Sequence, residues 1–142
     1  MVDFSKLLSK SADDITKPKP VPVGTYSGVI KKYEYLESKN ENKTPYVRFA
    51  VGLQAPHDDV DPSDLEGVDL TKKSLRKDFY LTDDSDYRVK EFAESCGVAT
   101  SGRSLAEIIP DIVNAQVLVG ITQQPSPDGS EIYNNVNTIV GA

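Results

Sequence analysis

The chain has 142 residues (15.5 kDa), of which 38% are hydrophobic and 27% charged, with one cysteine, one histidine, no tryptophan and a formal net charge of −6. This size and balance fit one domain with one core and leave no apolar run near the roughly eighteen residues a membrane helix needs. The lone Cys96 excludes an internal disulfide and any multi-cysteine zinc site, and it reads as core filler.

Residues 1–22 read as an N-terminal arm. Phe4, Leu7, Leu8 and Ile15 can form one or two amphipathic turns before KPKPVP imposes an extended, proline-stiffened entry into a domain spanning 23–142. MVDFSKLLSKSADD has no continuous apolar stretch before a small-residue cleavage site, so a cytoplasmic location is expected.

From Gly24 the pattern is that of strands. GTYSGVIKKYEYLE is rich in β-branched and aromatic residues, with Gly28 placed for a bulge or bend. After the polar turn ESKNENK, TPYVRFAVGLQ alternates, with Val47, Phe49, Val51 and Leu53 on a core face and Tyr46, Arg48, Ala50 and Gly52 on the other. The acidic connection HDDVDPSDLEGVD lacks the ligand spacing of a calcium loop; Asp61 as cap, Pro62 and Gly67 instead predict one helical turn, and neither a metal nor another cofactor is expected. SLRKDFYL forms a third strand with Leu75, Phe79 and Leu81 inward and Arg76, Asp78 and Tyr80 outward.

TDDSDYRVKEFAESCG predicts a helix, since Val89, Phe92, Ala93 and Cys96 recur on one helical face. Acidic residues crowd its expected first turn and Gly97 supplies a left-handed stop. Ser104 followed by Glu107 has the spacing of a capping box opening a second short helix, which Pro110 should disturb. NAQVLVGITQ reads as a buried fourth strand, PSPDGS as a turn and EIYNNVNTIV as a fifth strand.

The chain is therefore expected to be mainly β. Five strands with a helix between the third and fourth is the order of an OB-fold, a five-stranded Greek-key barrel that binds oligomers on strands 2 and 3 between the loops joining strands 1–2 and 4–5. A five-stranded sandwich or another small barrel is compatible with the same order.

Charge is unevenly spread. Residues 1–54 hold nine Lys/Arg against six Asp/Glu, 55–70 hold none against six, and 71–142 hold seven against ten. The first third is thus basic, and local potential rather than net charge steers a ligand. On the OB topology, Lys31, Tyr33, Tyr35, Lys39, Lys43, Tyr46, Arg48, Arg76 and Tyr80 form a strip of rings and cations beside the binding face. Such a strip suits a single nucleic-acid strand, whose phosphates the cations neutralise and whose bases stack on the rings without demanding a sequence. A bulge near Gly28 would reverse the side chains after it, making Tyr33 and Tyr35 core residues and Lys32 the exposed one. No nucleophile motif, Walker loop or GxSxG is present, so catalysis is not expected and no catalytic residue is assigned.

The segments MVDFSKLL, VPVGTYSGVIKKYEY, TPYVRFAVGL, LRKDFYLTDDSDYRVKEFAESCGV and GRSLAEIIPDIVNAQVLVGI resemble a family of small tailed-phage single-stranded DNA-binding replication proteins of OB-fold type. The resemblance spans nearly the whole chain. It implies coating of exposed single-stranded DNA during phage replication or recombination in the host cytoplasm, with Tyr33, Tyr35, Tyr46 and Arg48 in the binding region. Bacterial single-stranded DNA-binding proteins end in an acidic recruiting tail, whereas here no acid follows Glu131. Contact with replication or recombination proteins, or with further copies of the chain, is expected instead through the arm. The alternatives from other classes are a structural or protein-interaction module of a phage and a barrel that binds RNA or oligosaccharide.

Overall fold

The computed structural model describes residues 4–9 and 19–142. Ile15 of the expected arm and the Lys17-Pro18 start of KPKPVP lie outside them. The elements are α1 (Phe4–Leu8), β1 (Gly24–Glu37), β2 (Pro45–Pro56), β3 (Ser74–Tyr80), α2 (Tyr87–Ser95), α3 (Leu105–Ile112), β4 (Gln116–Pro125) and β5 (Ile132–Gly141). The strands make one antiparallel sheet in the order β3-β2-β1-β4-β5. It curls until its two edges approach, where Lys77 Nζ of β3 donates to Val136 O of β5 at 3.4 Å, but no backbone ladder joins them. None of the helices among the described residues is long and apolar enough to cross a membrane.

Alternation places Val47, Phe49, Val51 and Leu53 of β2 in the core with Phe79 of β3. Tyr26, Ile30, Val117, Val119 and Ile121 complete the inner face, and α2 and α3 cover it with Val89, Phe92, Ala93, Ile108, Ile109 and Ile112. Phe49, Phe79 and Phe92 pack as an aromatic triad with centroids 5.3–5.8 Å apart. Tyr26 resolves its buried hydroxyl by donating to Pro22 O at 2.7 Å, and burial pushes its pKa up to about 12.

Two local expectations are corrected. Asp83, Asp84 and Asp86 precede α2 rather than filling its first turn, because Thr82 O receives Ser85 N and Asp86 N in a separate turn. At α3, Ser104 Oγ donates to Glu107 Oε1 at 3.4 Å instead of capping a backbone N–H, and the helix continues through Pro110. The other end of α2 behaves as expected: Gly97 is left-handed (φ 82°), with Val98 N bonded to Ala93 O and Gly97 N to Glu94 O, a Schellman stop. The acidic connection contains the expected turn, Pro62–Leu65, capped by Asp61 accepting from Ser63 N at 2.9 Å.

The end of the arm is built into the body. Val21 is fully buried; its N–H donates to Asn134 Oδ1 at 2.9 Å and its carbonyl accepts from Asn134 Nδ2 and Gln123 Nε2. At the opposite terminus Gly141 N donates to Ser95 Oγ at 2.9 Å, so the end of β5 rests on the end of α2. A Cβ at Gly141 would overlap the Ser95 carbonyl. Gly141→Ala should therefore cost about 1–3 kcal/mol or more, measured as a lowered urea midpoint with an unchanged slope.

Candidate nucleic-acid interface

Residues paired directly across an antiparallel ladder project to the same face, so register assigns every side chain on β1, β2 and β3. The outer face consists of successive rows: Leu36–Tyr46–Tyr80, Glu34–Arg48–Asp78 and Lys32–Ala50–Arg76. Below them Gly52 has no side chain, and the aliphatic stem of Lys31 lies across it.

Of the predicted residues, Lys31, Tyr46, Arg48, Arg76 and Tyr80 thus share one face. Tyr46 and Tyr80 meet edge to face with centroids 6.0 Å apart, and the Tyr80 ring is half exposed. Tyr33 and Tyr35 are elsewhere. They stand opposite Phe49 and Val47, on the core side of β1. The register shift at Ile30/Lys32 causes this: β1 inserts one residue there, leaving Lys31 and Lys32 both outward and turning the following residues over. The shift at Ser27/Gly28 instead skips Gln54 on β2 and does not reverse β1, so the reversal arises later than the bulge expected near Gly28. Tyr33 packs against the core, while Tyr35 extends beyond it, half exposed and edge-on to Tyr33 at 5.4 Å. Lys39 and Lys43 are exposed in the loop between β1 and β2, closed by Ser38 N donating to Thr44 O at 2.9 Å.

The cations are not equivalent. Arg48 Nε donates to Asp78 Oδ1 at 2.9 Å and Nη2 to Asp78 Oδ2 at 3.3 Å, with Glu34 on its other side. The guanidinium also lies 5.5 Å from the Tyr46 ring centroid and Nη2 donates to the Tyr46 hydroxyl at 3.3 Å. The Asp78 hydrogen bond holds the Arg48 pKa above its ordinary value. Arg48 therefore orients Tyr46 and is already neutralised. Lys32 and Arg76 carry no ion pair among the described residues. They flank the small Ala50 side chain in a shallow recess of about 220 Å³. Four outward cations, Lys31, Lys32, Arg48 and Arg76, stand against the two carboxylates Glu34 and Asp78, a balance of +2 on this face.

A larger groove of about 870 Å³ separates β3 from the β4–β5 hairpin, lined by Arg76 and Asp78 on one side and Gln124, Tyr133 and Asn135 on the other. Tyr133 and the two amides are absent from the predicted strip. The expected barrel brings the loop joining strands 4 and 5 beside the binding face, but the irregular alternation of β5 does not show which of its side chains turn toward β3. The acidic connection is spoken for locally: Asp59 accepts from Thr25 N at 3.0 Å and Thr25 Oγ1 at 2.8 Å, bonds that lower its pKa.

The turn at the groove's rim is fastened by one carboxylate. Asp128 Oδ1 accepts from Ser126 Oγ at 2.6 Å, Ser130 Oγ at 2.7 Å and Ser130 N at 3.0 Å, which draws its pKa down to about 2. Because the folded value is depressed, this contribution is complete above the unfolded value of about 3.9 and is lost as pH falls through about 2. A carboxyl titration of Asp128 near 2, with exchange protection of the Ser130 amide falling over the same range, is the expected NMR result; Asp128→Asn should remove that dependence. No protein-family model and no curated protein sequence matches this chain, which leaves the side chains of these faces as the guide to its chemistry.

Proposed function

We propose that the protein binds single-stranded DNA with little sequence preference, through the outer face of β2 and β3. The observation that carries this reading is the Tyr46–Tyr80 ring pair set one row from the Arg48–Asp78 bridge and two rows from the unpaired Lys32 and Arg76. Rings supply sequence-tolerant stacking and the free cations supply phosphate contacts with release of counterions. The strand order, the curl that brings β3 toward β5 and the helices between β3 and β4 support reading the sheet as an OB-fold barrel, whose ligand face is this one. The resemblance to phage replication proteins agrees with the same chemistry and makes strand coating in replication or recombination the proposed setting. No step of this role calls for a catalytic residue.

The deciding experiment is quenching of intrinsic tyrosine fluorescence by an unstructured oligonucleotide at two salt concentrations, with duplex DNA as control. The chain has no tryptophan, so the signal comes from tyrosine alone. Saturable quenching that weakens with salt is expected; its absence would sink the reading in favour of a protein-interaction role. Tyr46→Ala or Tyr80→Ala should cost about 1–3 kcal/mol for each base stacked. Arg76→Gln should reduce the salt slope by about 0.7, whereas Arg48→Gln should barely change it, since that charge is already matched by Asp78. Asp78→Asn frees the guanidinium and should tighten binding and steepen the slope, measured by the same titration.

A further inference from the structure

The β3–β5 groove contains an arrangement that the β2–β3 face lacks. Asn134 and Asn135 lie side by side on β5, yet they do different things. Asn134 is consumed by the fold, its oxygen accepting from Val21 N and its nitrogen donating to Val21 O and Thr122 O. Asn135 points to the other face, where its Nδ2 donates to Gln124 Oε1 at 3.1 Å. That bond uses one donor and one acceptor. The complementary atoms, Gln124 Nε2 and Asn135 Oδ1, make no further hydrogen bond among the described residues. The two exposed amides thus present one donor beside one acceptor. Tyr133, half exposed, is the direct cross-strand neighbour of Gln124 and provides a flat ring next to this pair. Arg76 lines both this groove and the Lys32–Ala50 recess, so one strand can pass from the face over the edge of β3 without leaving positive charge.

We infer that the groove receives one nucleotide of the bound strand and reads the polar edge of its base, with Tyr133 stacking on the base, Gln124 and Asn135 pairing with its edge, and Arg76 holding the adjoining phosphate. The inference rests on the single-strand reading above and adds to it a position of base preference. A volume of about 870 Å³ accommodates a nucleotide with solvent to spare. Every base offers a donor next to an acceptor along one edge, but purines and pyrimidines set that pair at different distances from the sugar. An amide pair fixed on a strand therefore ranks the bases instead of treating them alike. The rim of the groove is held by the Asp128 turn, so little ordering is needed at the moment of binding.

The test measures affinities of the full chain for dA, dC and dT oligomers of equal length and for an abasic oligomer, comparing wild type with the double variant Gln124→Ala, Asn135→Ala. Wild type should spread the three homopolymers by about fivefold or more, and the double variant should compress that spread to within about twofold while keeping the salt slope. A 5-iodouracil oligomer should crosslink to Tyr133 on irradiation, in addition to Tyr46 or Tyr80. A spread left intact by the double variant, no spread in wild type, or crosslinks confined to Tyr46 and Tyr80 would each overturn this inference while leaving the single-strand reading standing. Failure of wild type to bind any oligomer, abasic included, would remove both.

Discussion

The structure depends most on how β1 is bent. This strand pairs with β2 along one side and β4 along the other, so it must bridge two parts of the sheet that face different ways. It does so through two register shifts, at Ser27/Gly28 and Ile30/Lys32. The first needs glycine: a Cβ on Gly28 would stand 3.0 Å from Gly52 O and 3.2 Å from Val51 Cγ1, tighter than a side chain tolerates without movement. The extra residue of the second puts Lys31 and Lys32 outward together. Bulges increase local twist, and a twisted central strand is what lets a five-stranded sheet curl so that Lys77 can reach Val136 across the open seam. Both shifts thus shape the sheet, and the second also sets which side chains of β1 face outward.

With that face defined, its chemistry is graded instead of uniform. The Tyr46–Tyr80 row is apolar and flat, the Glu34–Arg48–Asp78 row is internally compensated, and the Lys32–Ala50–Arg76 row holds uncompensated charge. A fully cationic face would hold a polyanion tightly wherever it touched. Placing a bridged arginine between the rings and the free cations stiffens Tyr46 and, on the proposed role, removes one phosphate contact and so would favour a strand that can shift along the face.

Much of this was legible in the residue order, and what was not has identifiable causes. The core of β2 and the apolar face of α2 follow from periodicities of two and of three to four, which burial enforces. So does the outward position of Tyr46, Arg48, Arg76 and Tyr80. The placement of Tyr33 and Tyr35 hinged on one residue that β1 inserts at Lys31; Gly28 signals an irregularity whose extra residue, Gln54, lies on β2, and nothing in the sequence marks the insertion that matters. Asp78 could be recognised as outward, but its pairing with Arg48 depends on the β2–β3 register, which is set by a long connection containing its own turns. Tyr133, Gln124 and Asn135 were missed for a different reason: the expected barrel brings the β4–β5 loop near the face, but the irregular alternation of β5 does not reveal which of its side chains meet β3 across the seam.

A chain of net charge −6 can still present a locally cationic row because many of its carboxylates are engaged elsewhere. Carboxylates of the β2–β3 connection are turned to local donors: Asp59 to Thr25, Asp61 to Ser63 and Asp69 to Thr71. Those of the α3 region meet Arg103. Neither group enters the Lys32–Ala50–Arg76 row. On the proposed role, the potential that an approaching strand meets is set mainly by the rows beneath it. Arg76 is central to that field, because it stands where the β2–β3 face ends and the β3–β5 groove begins, and among the described residues it is the only outward cation that lines both, so its removal would interrupt the proposed path.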